Sequence, residues 1–372
     1  MHRILLLGAG KIGRAIAKLL ARSGDFDVLV GDVDEGALAR LAGIPGIATR
    51  RVDVADHAAL TAAMAGREST ISACSFAVNP GIAHAALSSG TSYFDLTEDV
   101  ATTRMVARVA AQARPGQVFM PQCGLAPGFI AIAGHHLTKD FTKLDEVRLR
   151  VGALPQFPVG ELKYNLTWST DGLINEYCNP CEVIHEGTRM EVLPLEGLEH
   201  FSLDGIDYEA FNTSGGVGSL WETLQGRVRT LDYKTIRYRG HRDLVAFLVN
   251  ELWLSHRRAL LKDVLEAAVP ITLQDVVLVF CTVTGWKGGY LAQVTDARKI
   301  YHSTVDGEPW SAIQLTTAAG LCTVLDLHHQ GKLTTTRGLA RQEEVALDVF
   351  LANRFGRIYQ DAGSAVPGAA QL

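Results

Sequence analysis

Six residues near the start, Gly8-Ala9-Gly10-Lys11-Ile12-Gly13, have the types and spacing to cradle a pyrophosphate. They lie between an apolar run, RILLL, and an amphipathic one in which Ile12, Ala15, Ile16, Leu19 and Leu20 share a face. The six therefore read as the turn from a buried strand into a helix. In that setting Gly8 permits the tight turn and Gly10 lets the backbone approach the phosphates. Gly13 lets helix and strand pack closely, and the helix N-terminus faces the negative charge. Lys11 and Ile12 belong to the same cofactor turn. Asp32 closes the next strand 19 residues beyond Gly13, where its carboxylate can accept from both ribose hydroxyls. Val33, Asp34 and Glu35 follow, with no arginine directly after Asp32. A 2′-phosphate would meet clustered negative charge, so the cofactor expected is NAD; Arg50 and Arg51 argue for NADP instead. Asp53 either borders the adenine or caps a loop. Cys74, Ser75 and Asn79, in CSFAVNP, stand where a dinucleotide fold touches the nicotinamide ribose.

The elements that must position these residues alternate. Strands are expected at RILLL, DVLVGD, ATRRVDV, STISACS, TSYFDLT and QVFMPQC, with helices between them. Asp56 is a plausible N-cap and Pro80 a helix-start proline. Six strands joined by helices imply right-handed crossovers and a doubly wound parallel Rossmann sheet, the N-terminal half of an α/β chain. After Gly128 the pattern becomes short alternating runs separated by turns, a second α+β domain with a mainly antiparallel sheet. KGG joins two long runs as a hairpin. Helices are expected at FIAIAGHHLTKDF, at TWSTDGLINEYCNP, where a strand leads into the helix, and at SAIQLTTAAGLCTVLDLHHQG. The expected domains are 1–123, 124–334 and a C-terminal return, 335–372, ending in the helix EEVALDVFLANRFG and a tail, DAGSAVPGAAQL, that frays.

Between the domains lies MPQCGLAPGFI, too rich in proline and glycine for a helix or a central strand. Ligands of doubly wound sheets lie beyond the carboxyl ends of the strands, so this crossover should run along the floor of the substrate site, with Cys123, Gly124 and Leu125 as its wall. No basic residue neighbours Cys123 in sequence to make it a thiolate.

Together GAGKIGRAIAKLL with GDVD, YFDLTED, QCGLAPGF, NLTWSTDGLINEYCNPC, TSGGVGSLWETLQGRVRTLDYKTIRYRGH and RQEEVALDVFLANRFG resemble the saccharopine dehydrogenase-like family over nearly the whole chain, and most closely its lysine 6-dehydrogenase branch. The resemblance implies that L-lysine is oxidised at its side-chain carbon with NAD, giving ammonia and a 6-semialdehyde that cyclises. It also implies a homo-oligomer. The other readings are a relative that reduces an imine with NADPH, such as one forming saccharopine or carboxynorspermidine, and a non-catalytic NAD-binding regulator.

Amine oxidation by hydride loss needs a neutral nitrogen, yet a free lysine ammonium has a pKa of about 10.4. The site must therefore desolvate it or take its proton. Asp95, ending the fifth strand, is a candidate for the amine or its proton, with turn-capping the alternative. His241 is an acid/base candidate and Arg239 a carboxylate clamp, both in IRYRGH, with Lys234 and Tyr238 from the same block. Trp168 could wall the alkyl chain and Asp171 hold an ammonium or cap a helix. Thr213 and Ser214, before Gly215-Gly216, could bind the substrate carboxylate through a turn rich in N–H groups.

The totals exclude other classes. Net charge is −5, which implies no nucleic-acid partner, and no apolar run approaches the roughly 20 residues of a bilayer span. Six cysteines dispersed over 372 residues are no disulfide framework, and a cytoplasmic location with reduced thiols is expected. Cys178 and Cys181 form a lone CxxC, and His135-His136 and His328-His329 are adjacent rather than four apart, so no metal site is expected. Residues 151–240 hold 13 acidic against 7 basic residues, which suits a cationic substrate.

Overall fold

The computed structural model describes residues 1–305 and 307–360; the tail from Asp361, expected to fray, lies outside them. The chain divides into two compact units. One holds residues 1–132 and 317–358, and the other holds 133–316 and 359–360 of the described residues. Both divisions fall inside helices, Phe129–Thr138 and Ala312–His329. The segment 120–130 thus belongs wholly to the first unit, and the return begins at Thr317 rather than at 335.

The first unit is the α/β half. Its strands are β1 (His2–Leu7), β2 (Phe26–Asp32), β3 (Ile47–Arg51), β4 (Ser69–Ser72), β5 (Ser92–Asp95) and β6 (Val118–Met120). They lie parallel in the order β6-β5-β4-β1-β2-β3. The order reverses between β1 and β4, the switch point at which such sheets bind ligands. A seventh strand, Gly338–Leu339, pairs in parallel with β6. Two residues carry no period, so the pattern does not announce it; physically it covers an otherwise open edge. Asp56 accepts from the N–H groups of Ala58 and Ala59 and starts the helix His57–Met64. Leu5, Leu7 and Leu29 of the sheet pack with Leu60, Met64, Ile82 and Val106. The stretch EEVALDVFLANRFG is less helical than expected: a 3-10 turn at Gln342–Glu344 runs into it, a helix spans Leu347–Ala352 and a second 3-10 turn follows at Gly356–Tyr359.

The second unit is built on a mixed sheet. Its strands are β7 (Lys143–Pro155), β8 (Cys181–His185), β9 (Thr188–Val192), β10 (Glu199–Leu203), β11 (Ile206–Asn212), β12 (Thr230–Tyr238), β13 (Asp275–Lys287) and β14 (Tyr290–Tyr301). The main order is β10-β11-β12-β7-β13-β14, with β8 on β12 and β9 on β8. Pairing is antiparallel except between β12 and β7. The hairpin over Gly288-Gly289 has φ of +60° and +87° there, the left-handed pair that tight hairpins require. Thr170–Cys178 is a helix capped by Ser169, but no strand leads into it. A helix at Arg258–Ala268 was not expected, because SHRRALLKDVLEAA carries charges that mask its apolar stripe.

Histidines close the amino-terminal end of the first sheet. His2 donates or accepts with Ser69 Oγ at 2.9 Å and packs against Phe26 and His329; His328 packs against Phe94. Burial, reinforced by the neighbouring imidazoles, pushes His328 down to about 4. An unfolded chain takes up that proton near the usual 6.5, so the stability this ring contributes is present above pH 6.5 and is lost as pH falls towards 4. Urea midpoints should drop across that window, by up to about 1.4 kcal/mol per pH unit for the one ring. His328→Phe should flatten the slope; an unaltered slope would show that the ring is not the cause.

Candidate active site

The turn after β1 has the geometry its residues predict. Gly8 has φ +99°, and a Cβ on it would lie 2.7 Å from Ala73 O, the residue after β4. A Cβ on Gly13 would lie 1.9 Å from Gly8 O, whereas one on Gly10 would meet nothing within 4 Å. Gly8 and Gly13 are thus fixed by packing, and the space at Gly10 is left for a ligand. Lys11–Arg22 begins at Gly10 with no side-chain cap, so its first N–H groups are available to phosphate. Asp32 Oδ2 accepts from Ala9 N at 2.6 Å and Oδ1 from Asp34 N at 2.9 Å. The carboxylate therefore sits against the glycine turn, with Val33 exposed beside it. Arg51 is in register with Asp32, and both Arg50 and Arg51 are exposed. These residues fit a nicotinamide dinucleotide. Asp53 is exposed and accepts from Ala55 N, the loop-capping alternative. Ser75 is exposed, Cys74 is half-buried with its thiol raised to about 11 by desolvation, and Asn79 is buried with its Oδ1 accepting from Ser72 Oγ.

At the carboxyl end of β5, Asp95 is wholly enclosed. Its Oδ2 accepts from Tyr93 Oη at 2.8 Å and its Oδ1 from Thr97 N and Gln122 N at 2.9 and 3.0 Å. Burial raises its pKa against the pull of those donors. Gln122 has a left-handed φ of +65°, costly for a side-chain-bearing residue and stabilised here by that hydrogen bond. The backbone then folds onto itself: a Cβ on Gly128 would lie 2.1 Å from Gly124 O, and one on Gly320 would lie 2.8 Å from the same atom. Cys123 is 1 % exposed. Its Sγ donates to Met120 O and accepts from Gln342 Nε2, and burial holds the thiol well above its usual pKa. Cys123, Gly124 and Leu125 are a packed wall, and Asp95 is the group that fixes its path.

In the second unit, alternation along β12 sends Tyr233, Thr235 and Arg237 to one face and Lys234 and Tyr238 to the other. The first face carries a guanidinium that is only 3 % exposed. Arg237 Nε donates to Tyr177 Oη at 3.1 Å, and Nη1 donates to Thr235 Oγ1 and Ile236 O. Among the described residues Nη2 makes no hydrogen bond, and it lies 3.7 Å from the Glu176 carboxylate. The guanidinium stacks over the Tyr164 ring at 4.8 Å. Burial opposes its charge, but Tyr177, Tyr164 and Glu176 together hold its pKa above the usual value. In the same unit Thr213 Oγ1, Asn165 Oδ1 and Thr167 Oγ1 are buried without a partner. The Arg237 guanidinium thus keeps its two Nη2 N–H groups free for an anionic acceptor, beside the Glu176 carboxylate.

The other expected site residues are placed differently. Arg239 is half-exposed, pairing with Asp207 at 3.5 Å. Lys234 is buried on the far face, held by Gly197 O and Glu199, beside Arg150 and Asp232. Tyr238 Oη donates to Pro155 O. His241 is enclosed between Tyr177 and Leu162 O. Asp171 is exposed and pairs with Lys262 at 2.7 Å. Trp168 Nε1 donates to Tyr164 Oη, and Ser214 Oγ donates to Pro180 O. The sequence singles out Thr213 but not Arg237, Tyr177, Tyr164 or Glu176, the residues gathered at the buried guanidinium. Parity along TLDYKTIRY would have grouped Arg237 with Tyr233, but both faces of that strand carry charge, so the pattern does not say which face binds. Among the described residues no group of three or more His, Cys, Asp or Glu is gathered as metal ligands, and no helix is long and apolar enough to cross a membrane.

A parallel sheet of this order, with a glycine turn leading into an uncapped helix, is the frame of a dinucleotide-binding domain. Residues 4–120 match the saccharopine dehydrogenase NADP binding domain and residues 124–353 the saccharopine dehydrogenase C-terminal domain, and the chain belongs to this family. It is 24% identical over 267 residues, 67% of its own length, to the saccharopine dehydrogenase [NADP(+), L-glutamate-forming] of Schizosaccharomyces pombe, and spans 58% of that protein. Its fold is similar to that of the apo histidine-tagged saccharopine dehydrogenase (L-Glu forming) of Saccharomyces cerevisiae. The TM-score is 0.77 at 17% identity, covering 94% of this chain and 96% of that one.

Two pairs of variants test this geometry. Gly10→Ala should fold with the wild-type melting temperature yet bind dinucleotide at least about tenfold more weakly, whereas Gly13→Ala should lose stability itself. NADH fluorescence titration and thermal melts read both; equal melting losses would refute the distinction. Asp95→Asn keeps an oxygen for Thr97 and Gln122, and Asp95→Ala leaves both N–H groups buried and unmade. The first should cost under about 1 kcal/mol and the second about 2–4 kcal/mol. Similar losses in urea titration would mean that the carboxylate does not hold the crossover.

Proposed function

We propose that this dehydrogenase oxidises the side-chain amine of L-lysine with NAD, yielding ammonia, NADH and the 6-semialdehyde. The observation that carries the reading is Arg237 Nη2, a buried donor pair beside the Glu176 carboxylate. A guanidinium and a carboxylate at that spacing suit the zwitterionic head of one α-amino acid: the α-carboxylate on Arg237, the α-ammonium towards Glu176. Holding the head there leaves the far end of the side chain to react. The bound nicotinamide would accept a hydride from the carbon bearing the side-chain nitrogen, and water then adds to the resulting imine and releases ammonia. The nitrogen must first lose its proton. Asp95 is spent on internal donors, so the reading assigns the proton's loss to desolvation of the substrate nitrogen, which favours its neutral form. The negative cluster at Asp32, Asp34 and Glu35 favours NAD.

A second reading follows from the NADP-linked relatives and from Arg51 in register with Asp32: a saccharopine- or carboxynorspermidine-type dehydrogenase working with NADPH. Purified enzyme incubated with NAD and a panel of amines separates the two. NADH formed with L-lysine supports the first reading. Turnover confined to NADPH with an imine overturns it in favour of the second. Asp32→Ala should weaken NAD by about tenfold or more. Arg237→Lys should raise the KM for lysine about tenfold or more, because an ammonium lacks the Nε and Nη1 hydrogen bonds that fix where the guanidinium's Nη2 points, with NAD affinity unchanged. An unchanged KM would remove Arg237 from the site.

A further inference from the structure

We infer that Tyr177 and His241 are positioning residues for substrate recognition: a hydrogen-bond chain of fixed polarity that turns the Arg237 guanidinium so that only Nη2 is presented to a ligand carboxylate. The inference rests on the reading of Arg237 as the carboxylate anchor and adds the device that aims it.

The polarity follows from which atoms can only donate or only accept. Leu162 O is a carbonyl 2.8 Å from His241 Nδ1, so Nδ1 carries the ring proton. The other nitrogen, Nε2, is then an acceptor, and its neighbour at 2.9 Å is Tyr177 Oη. Tyr177 has one proton to give, and it goes to Nε2. Its oxygen in turn accepts from Arg237 Nε at 3.1 Å, a group that can only donate. Reversing the tautomer would set Nε2–H against a phenol already receiving Arg237, and Nδ1 against a carbonyl. Burial and the adjacent Arg237 charge push His241 down to about 3, so the ring stays neutral through the physiological range.

Packing locks the chain. The imidazole lies parallel to Phe211 at an interplanar angle of 11°, and the Tyr164 ring meets it edge-on at 5.1 Å. His241 opens a helix one residue after Gly240, whose φ of +94° sets where that helix begins. With Nε taken by Tyr177 and Nη1 by Thr235 Oγ1 and Ile236 O, the guanidinium plane has no freedom left. Neither Tyr177 nor His241 needs to touch the ligand. Their effect is on orientation, which matters because the Nη2 N–H groups lie in the guanidinium plane and bond an anion well only when that plane points them at it.

The test compares L-lysine with 1,5-diaminopentane, the same chain without its carboxylate, by calorimetric titration of the full-length protein in the presence of NADH. Tyr177→Phe and His241→Leu should each weaken L-lysine about tenfold, the scale of one hydrogen bond that aims a charge. Both should leave 1,5-diaminopentane unchanged. The double variant should be no weaker than either single one. His241→Gln, whose amide can accept from Tyr177 and donate to Leu162, should restore lysine affinity. A His241→Leu variant that binds lysine normally, or that weakens both ligands alike, overturns the positioning role while the anchor stands. A wild-type protein that does not prefer lysine over 1,5-diaminopentane overturns the anchor reading and this role with it. Nitrogen-15 NMR of His241 checks the chain without ligand: protonated Nδ1 supports it and protonated Nε2 refutes it.

Discussion

A positive charge enclosed in a β-sheet domain sets the terms for the second unit. Arg237 cannot be solvated by water where it sits, and removing a charge from water costs several kcal/mol unless neighbours replace the lost interactions. Three of its N–H groups are met by Tyr177, Thr235 and Ile236 O, and the Tyr164 face and Glu176 supply the rest of the local field. Nothing in the sheet needs a cation there for stability, since an aliphatic side chain would fill the same face at lower cost. What the arrangement gives is a fixed, partly unused hydrogen-bonding edge beside a carboxylate, the feature on which the proposed recognition of an α-amino acid rests. The Arg150–Glu199–Asp232–Lys234 network on the opposite face is the contrast, because its cations are matched by anions within the fold.

The first unit solves a different problem with the same economy of parts. Its glycines are placed by contact rather than by flexibility: Gly13 against Gly8 O, Gly128 and Gly320 against Gly124 O. Asp95 converts a single buried carboxylate into a clamp on β5, the following turn and the crossover, so that the backbone at Gln122 can hold a conformation it would otherwise leave. One acidic residue, Asp32, ties the end of β2 to the glycine turn through Ala9 N and to the following helix start through Asp34 N. Binding and architecture are therefore coupled at few atoms, and small side chains there are a packing requirement as much as a functional one.

The α/β half was legible because its signals are periodic and repeated: apolar strands, amphipathic helices, and glycines at fixed offsets. The segment around Cys123 was also legible as a special crossover, since prolines and glycines exclude the regular alternatives. What stayed hidden has one physical cause. The proposed anchor in the second unit depends on which face of β12 a charge occupies, and TLDYKTIRY carries polar groups on both faces. Arg237 and Arg239 have the same parity, yet the strand ends at Tyr238 and Arg239 turns out to pair with Asp207. Asp171 is similar: a carboxylate at a helix entry looks the same in sequence whether it meets a ligand or Lys262. The two-residue strand Gly338–Leu339 escaped because two residues make no pattern.

Everything proposed about the chemistry reduces to which carbon of the substrate gives up its hydride. L-lysine deuterated at C6 and, separately, at C2 can be supplied with NAD and the reduced cofactor weighed by mass spectrometry. Deuterium arriving from C6 and not from C2 is the result predicted when the α-amino-acid head is held at Arg237. Deuterium arriving from C2, or no reduced cofactor from either substrate, would contradict it.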